Sequence, residues 1–140
     1  MQHPGIRVFL KDADEFVVTE TARAINDDLS IKEALPDLAN ALNDHRFSNE
    51  AFVRRAINAN LRVGGNGNLQ NLLNYISFED APVAMRNEAI DAMSTWAKPS
   101  VLDRVDGRYR GEVSRPLEPV QQNATGLLMK LLSHKDTTLR

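Results

Sequence analysis

Ser133, His134 and Asp136 carry the residue types of a hydrolytic triad. They sit close together at the end of an apolar helical run, and adjacent residues on a helix do not face one another. The helix dipole accounts for a protonated His134 near a C-terminus. Asp12, Asp14 and Glu15 form an acidic cluster of calcium-ligand type. The glycine and distal glutamate of an EF-hand loop are missing, so helix capping is the expected role. His3 and His45 stand alone, without a second ligand at metal spacing. The run GGNGN at 64–68 has glycines that could cradle a phosphate. It follows an expected helix rather than a strand and lacks the Lys-Ser/Thr of a P-loop, so a turn between helices is predicted. No catalytic, cofactor-binding or metal-binding set is assigned.

The most distinctive chemistry lies in residues 99–116, PSVLDRVDGRYRGEVSRP. Arg104, Arg108, Arg110 and Arg115 face Asp103, Asp106 and Glu112, and four minus three leaves +1. Asp106-Gly107 is a two-residue hairpin signal between LDRV and RYRG. The stretch is long for a connection within a helical protein, so it is expected to be an ordered loop. Arg104, Arg108, Tyr109, Arg110 and Arg115 are the candidate interaction residues, able to grip an anion or an acidic protein surface. The competing role is internal: the arginines pair with the loop's own acids and with helix C-termini, while Val105 and Tyr109 pack down as anchors. The internal role is favoured, because an insertion needs such pairs to stay folded. Leu102 and Val105 are expected to pack on Trp96 or on the last helix.

Helices must position this loop. The chain has 140 residues, 42% hydrophobic, 6% aromatic, with formal net charge −2 and no cysteine. That fits one domain with a modest core and excludes disulfides, thiolate metal sites and cysteine nucleophiles. No apolar run approaches membrane-spanning length. FVVTETARAIND (16–27) predicts a helix capped by Asp12 or Asp14, with Val18, Ala22 and Ile25 inward. Ser30 with Glu33 predicts a capping box before IKEALPDLANALND. Ser48 and Asn49 open a third helix through EAFVRRAINANLRV, and LQNLLNYI (69–76) follows as its partner. Asp80 is placed to cap a helix over 82–97, which Pro99 ends. On it Met85, Ala89, Ala92 and Trp96 form a stripe, with Arg86, Glu88, Asp91 and Ser94 away from its centre.

These units recur. ALPDLANAL (34–42) aligns with NLQNLLNYI (68–76) at an offset of 68 − 34 = 34 residues. Val18, Val53 and Met85 correspond, as do Ala22, Ile57 and Ala89, at offsets of 35 and 32 residues. Helix pairs at such a period predict an all-α, α-α superhelix, a stacked solenoid whose neighbours share a core. Leu38, Ile57, Leu72, Ala89, Ile90 and Met93 are expected inside. Ile6–Leu10 runs into KDAD and Leu127–Leu132 into SHKD, which read as the same junction of a helix end and a tight acidic turn. The chain therefore reads as part of a longer array, with Phe9, Leu10, Leu128 and Leu131 expected partly exposed at its ends.

VTETARAI (18–25), VRRAINANL (53–61) and MRNEAIDAM (85–93) resemble the first helices of HEAT repeats. RAIND (23–27), ALPDLA (34–39) and WAKPSVLDRVDGRYR (96–110) further resemble the HEAT region of bacterial exported dehydrogenase-like chains. In that family a sugar-dehydrogenase-like β-propeller precedes the HEAT segment and a c-type cytochrome domain follows it. The resemblance implies a spacer or docking module in the periplasm. It transfers no catalytic or haem residue, because neither propeller nor C-x-x-C-H motif is present here. The expected function is a structural and protein-interaction scaffold without catalysis or cofactor of its own. The alternatives are a docking or regulatory segment of a periplasmic oxidoreductase, and a nucleic-acid-binding HEAT protein through Arg54 and Arg55. The net charge of −2 and the lack of a basic stripe argue against nucleic acid.

Overall fold

The computed structural model describes residues 3–132, and among them the chain is helical, with no strand beyond one isolated bridge. A 3-10 helix, Pro4–Lys11, leads into α1, Glu15–Asp27. Asp14 caps α1 by accepting the Phe16 N–H at 2.8 Å, and Asp12 accepts the Asp14 N–H at 2.9 Å. The acidic cluster thus serves as a cap, as its spacing suggested. Helix α2 is Leu35–Asn40, α3 is Glu50–Val63, α4 is Asn66–Ser77, α5 is Val83–Ser94 and α6 is Glu118–Leu132. No helix among the described residues is long and apolar enough to cross a membrane.

Helix α3 is the inner element and packs against α1, α2, α4 and α5. Every residue from Ala56 to Leu61 is buried, so no face of its middle meets water. Asn49 starts it by accepting the Ala51 N–H, and Gly64 ends it at φ 75°, a left-handed position that glycine adopts without a Cβ clash. Leu38, Ile57, Leu72, Ala89 and Met93 are in the core as expected, whereas Ile90 is only partly buried.

Several boundaries differ from expectation. Ser30 does not cap a helix with Glu33. Asp28 accepts the Ser30 N–H, and Leu29–Ala34 forms a 3-10 segment instead. Pro36 explains the restart at Leu35: it has no N–H to donate to Lys32, and its ring crowds that carbonyl in a continuous α-helix. Asp80 does not cap α5. Pro82 takes the N-cap position, and its carbonyl accepts from the Met85 and Arg86 N–H groups. Helix α5 stops at Ser94, short of Trp96, where Ser94 and Thr95 hydroxyls bond back to Asp91 O and Ala92 O. Helix α4 begins three residues early, at Asn66, because Asn68 accepts the Gly65 N–H. At the N-terminal end Phe9 is half exposed but Leu10 is buried. The expectations for Leu128 and Leu131 lie outside the described side chains, and Ser133, His134 and Asp136 outside the described residues.

Arg86 departs furthest from its expected place. It is buried, and its Nε donates to Ile76 O at 2.7 Å. A guanidinium thereby satisfies an otherwise orphaned carbonyl at the C-terminus of α4. Beside it, burial pushes the Tyr75 hydroxyl up to about 12, the Arg86 charge opposing only part of that shift.

Candidate interaction site

The loop doubles back on itself, but not through a two-residue Asp-Gly turn. Arg110 N–H donates to Val101 O at 2.7 Å, and Asp103 N–H to Arg108 O at 2.7 Å. Leu102 and Tyr109 form the antiparallel bridge. The turn between them is wider, closed by Gly107 N–H on Asp103 O at 2.9 Å. Asp103 Oδ1 accepts the Val105 and Asp106 N–H groups at 2.8 and 3.1 Å, and Gly107 takes φ 73°. An aspartate that captures the next two free N–H groups favours this broader turn over a tight hairpin.

Asp103 is the loop's root. Its side chain has no exposed surface. Its Oδ2 accepts from Asn58 Nδ2 at 2.8 Å and from Arg110 Nε at 3.0 Å. Burial alone would raise its pKa, but the hydrogen bonds from Asn58, Val105, Asp106 and Arg110 outweigh this and hold it below the usual aspartate range. Asn58 Nδ2 also donates to Asn26 Oδ1 at 2.8 Å, which ties α1, α3 and the loop through one buried amide.

The candidate arginines fall into distinct places. Arg110 donates through Nη2 to Asp106 at 2.8 Å and to Asn26 O at 2.9 Å. Arg108 Nη1 donates to Asp27 O. Both therefore reach the C-terminal carbonyls of α1, where cations complement the helix dipole. Arg115 does the same for α3, donating to Leu61 O, and lies over the Trp96 ring at 4.9 Å. Arg104 instead bridges to α5, with Glu88 at 2.8 Å and Asp91 at 2.9 Å. Burial would lower its pKa, yet these two carboxylates raise it. Tyr109 does not pack down as an anchor. It is 67% exposed, and Leu102 across the bridge is 51% exposed rather than packed on Trp96. The bridge alternation turns both outward while Arg108 and Arg110 turn to α1.

The internal partners were missed in sequence. Asn26, Asn58 and Arg62 lie beneath the loop, and Arg62 Nη1 donates to Asn26 O at 3.2 Å. The available signal was asparagine in the middle of α3, a poor helix former away from any cap. A second asparagine cluster has the same origin. Asn60 donates to Ala39 O and Ala56 O, and its Oδ1 accepts from Asn68 and Asn71.

The remaining candidates have ordinary surroundings. The His45 ring stacks on Phe78, with centroids 3.9 Å apart. Arg54 pairs with Glu50 and Glu88, and Arg55 with Asp27. Among the described residues no group of three or more His, Asp or Glu side chains is placed to hold a metal ion. Compared with protein-family models, curated proteins and solved structures, the chain matches none.

Proposed function

We propose that this chain is a HEAT-like α-solenoid segment that works as a structural and protein-interaction module, with no chemistry of its own. The carrying observation is the outward pair Leu102 and Tyr109 on a loop rooted by buried bonds. Two large side chains with apolar surface held side by side in water suit a protein contact in which an aromatic side chain supplies the anchor. The repeat assignment draws support from burial at matched offsets: Val18, Val53 and Met85 are buried, and so are Ala22, Ile57 and Ala89. On the resemblance to exported dehydrogenase-like chains, the partner is a propeller or cytochrome domain of the same periplasmic assembly. The test begins with the complete gene, where a propeller before this segment and C-x-x-C-H after it would define the partners. Calorimetry of residues 1–140 against those domains then compares wild type with Leu102→Ser/Tyr109→Ser. A loss of binding at unchanged melting temperature supports the proposal; equal binding by the variant removes the loop from it.

A further inference from the structure

The apolar pair does not account for the arginines at the base of the loop, beside a hollow that Leu102 and Tyr109 also edge. There the loop, α3 and the 3-10 segment before α2 enclose a cleft of about 420 Å³. Lys32, Arg62, Arg110 and Arg115 line it. Its lining carboxylate, Asp103, is already spent: Oδ1 accepts two backbone N–H groups, and Oδ2 accepts Asn58 and Arg110. Arg104 also lines the cleft, but Glu88 and Asp91 neutralise it from α5.

Two guanidinium groups remain without a close counter-ion. The nearest carboxylate oxygen to Arg62 is Asp103 Oδ2, at 3.9 Å. Among the described residues Arg115 meets carbonyls of Leu61, Arg62 and Trp96 but no carboxylate. Burial lowers the pKa of both; the neighbouring Arg110 charge lowers that of Arg62 further, and Asp103, Asp106 and Asp27 offset this only in part. Arg110 itself is 8% exposed, and its Nη1 is a buried donor without a hydrogen-bond partner. Half-buried like charges of this kind are costly unless an anion joins them. The other wall is apolar, formed by Leu35, Leu61 and Val113.

We infer that this cleft binds a small organic carboxylate, its acid group between Arg62 and Arg115 and its apolar body against Leu61 and Val113. The volume suits a ligand of a few to a dozen heavy atoms. This inference does not rest on the scaffold assignment. Leu102 and Tyr109 also edge the cleft, but its acid group is held by Arg62 and Arg115, so the inference survives if that pair binds no protein.

The chain has one tryptophan, and Arg115 lies over it, so Trp96 fluorescence reports occupancy directly. The probes are octanoate, octanol and inorganic phosphate, titrated into residues 1–140. Octanoate is expected to saturate at a Kd on the order of 1 mM or tighter, with octanol and phosphate each at least ~10-fold weaker. Arg62→Gln should weaken octanoate by about 10-fold, since it removes a charge-assisted contact. Lys32→Glu, at an exposed rim position, should weaken it by at least ~3-fold without risk to the fold. Octanol binding as well as octanoate would show an apolar cleft only, and phosphate binding as well would show an adventitious cation cluster. Either result overturns the proposal, as does a linear response to octanoate or unchanged binding by Lys32→Glu.

Discussion

Asn58 and Asp103 stand 45 residues apart in sequence and meet through a 2.8 Å hydrogen bond with neither side chain open to water. One is in the middle of the innermost helix, and the other is the first residue of a surface turn. The loop is therefore seated in the core by a charged group, and its outer face is free to differ from what the core requires.

Asp103 should make the protein acid-sensitive. Its folded pKa is depressed, so the stabilisation is present above the unfolded value of about 3.9 and is lost as pH falls through the folded value. Urea titrations from pH 7 down to pH 2 should show a smaller acid loss for Asp103→Asn than for wild type. Asp103→Ala removes one of the two carboxylates on Arg110, which keeps Asp106, and unpairs the Val105 and Asp106 N–H groups; it should cost about 2–4 kcal/mol at pH 7. Parallel acid profiles for wild type and Asp103→Asn would refute the assignment.

Tyr75 should set a limit at the alkaline end. With its hydroxyl raised from about 10 to about 12, stability is full below pH 10 and falls as pH rises from there toward 12. The loss from this group alone is roughly 3 kcal/mol. Tyr75→Phe should flatten that limb, measured by chemical unfolding at successive pH values.

Asn60 is bonded through both ends of its amide to α2, α3 and α4. Asn60→Leu removes these bonds, leaves the Asn68 amide without its acceptor and leaves Asn71 only its longer bond to Asn40. We expect a loss of about 2–4 kcal/mol, since each stranded buried donor costs about 1–3 kcal/mol. A loss below 1 kcal/mol in equilibrium urea unfolding would mean the cluster is solvated.

Leu72 is fully buried between helices. Leu72→Ala should cost on the order of 2–5 kcal/mol, as large-to-small changes in a core do. Thermal and urea unfolding should agree on that figure.

Gly64→Ala carries two penalties at once. The position has φ 75°, and an added Cβ would fall on the Arg115 guanidinium. Left-handed backbone costs alanine about 1–2 kcal/mol. Displacement of Arg115 should also change Trp96 emission, and an unchanged spectrum would show that Arg115 does not rest on the ring.

The helical part of the fold was legible because periodicity reports burial. Val18, Ile57 and Leu72 lie where their spacing put them. Cap positions were less legible, because Asp28 and Pro82 displaced Ser30 and Asp80 through backbone geometry that no single residue type announces. The loop's arginines were legible as a group, and so was their internal use on helix ends. Their partners were not. Asn26, Asn58 and Arg62 belong to helices far away in sequence, and only tertiary packing brings them beneath the loop. Arg86 was misplaced for a related reason: a charge on the rim of an apolar stripe looks solvated until a neighbouring helix end needs a donor.

The carbonyls of Asn26 and Asp27 accept from Arg110 and Arg108, 84 and 81 residues further along the chain, and Asn26 O accepts also from Arg62, 36 residues on. During synthesis at about 5–20 residues per second, the end of α1 is made several seconds before Arg108 and Arg110 exist. Until then Arg62 reaches this turn at Asn26 O, while the Asp27 carbonyl lacks the donor Arg108 later brings. The loop is thus a clasp that closes late, so a chain stalled before residue 108 should remain open to proteases at the junction of α1 and the segment after it.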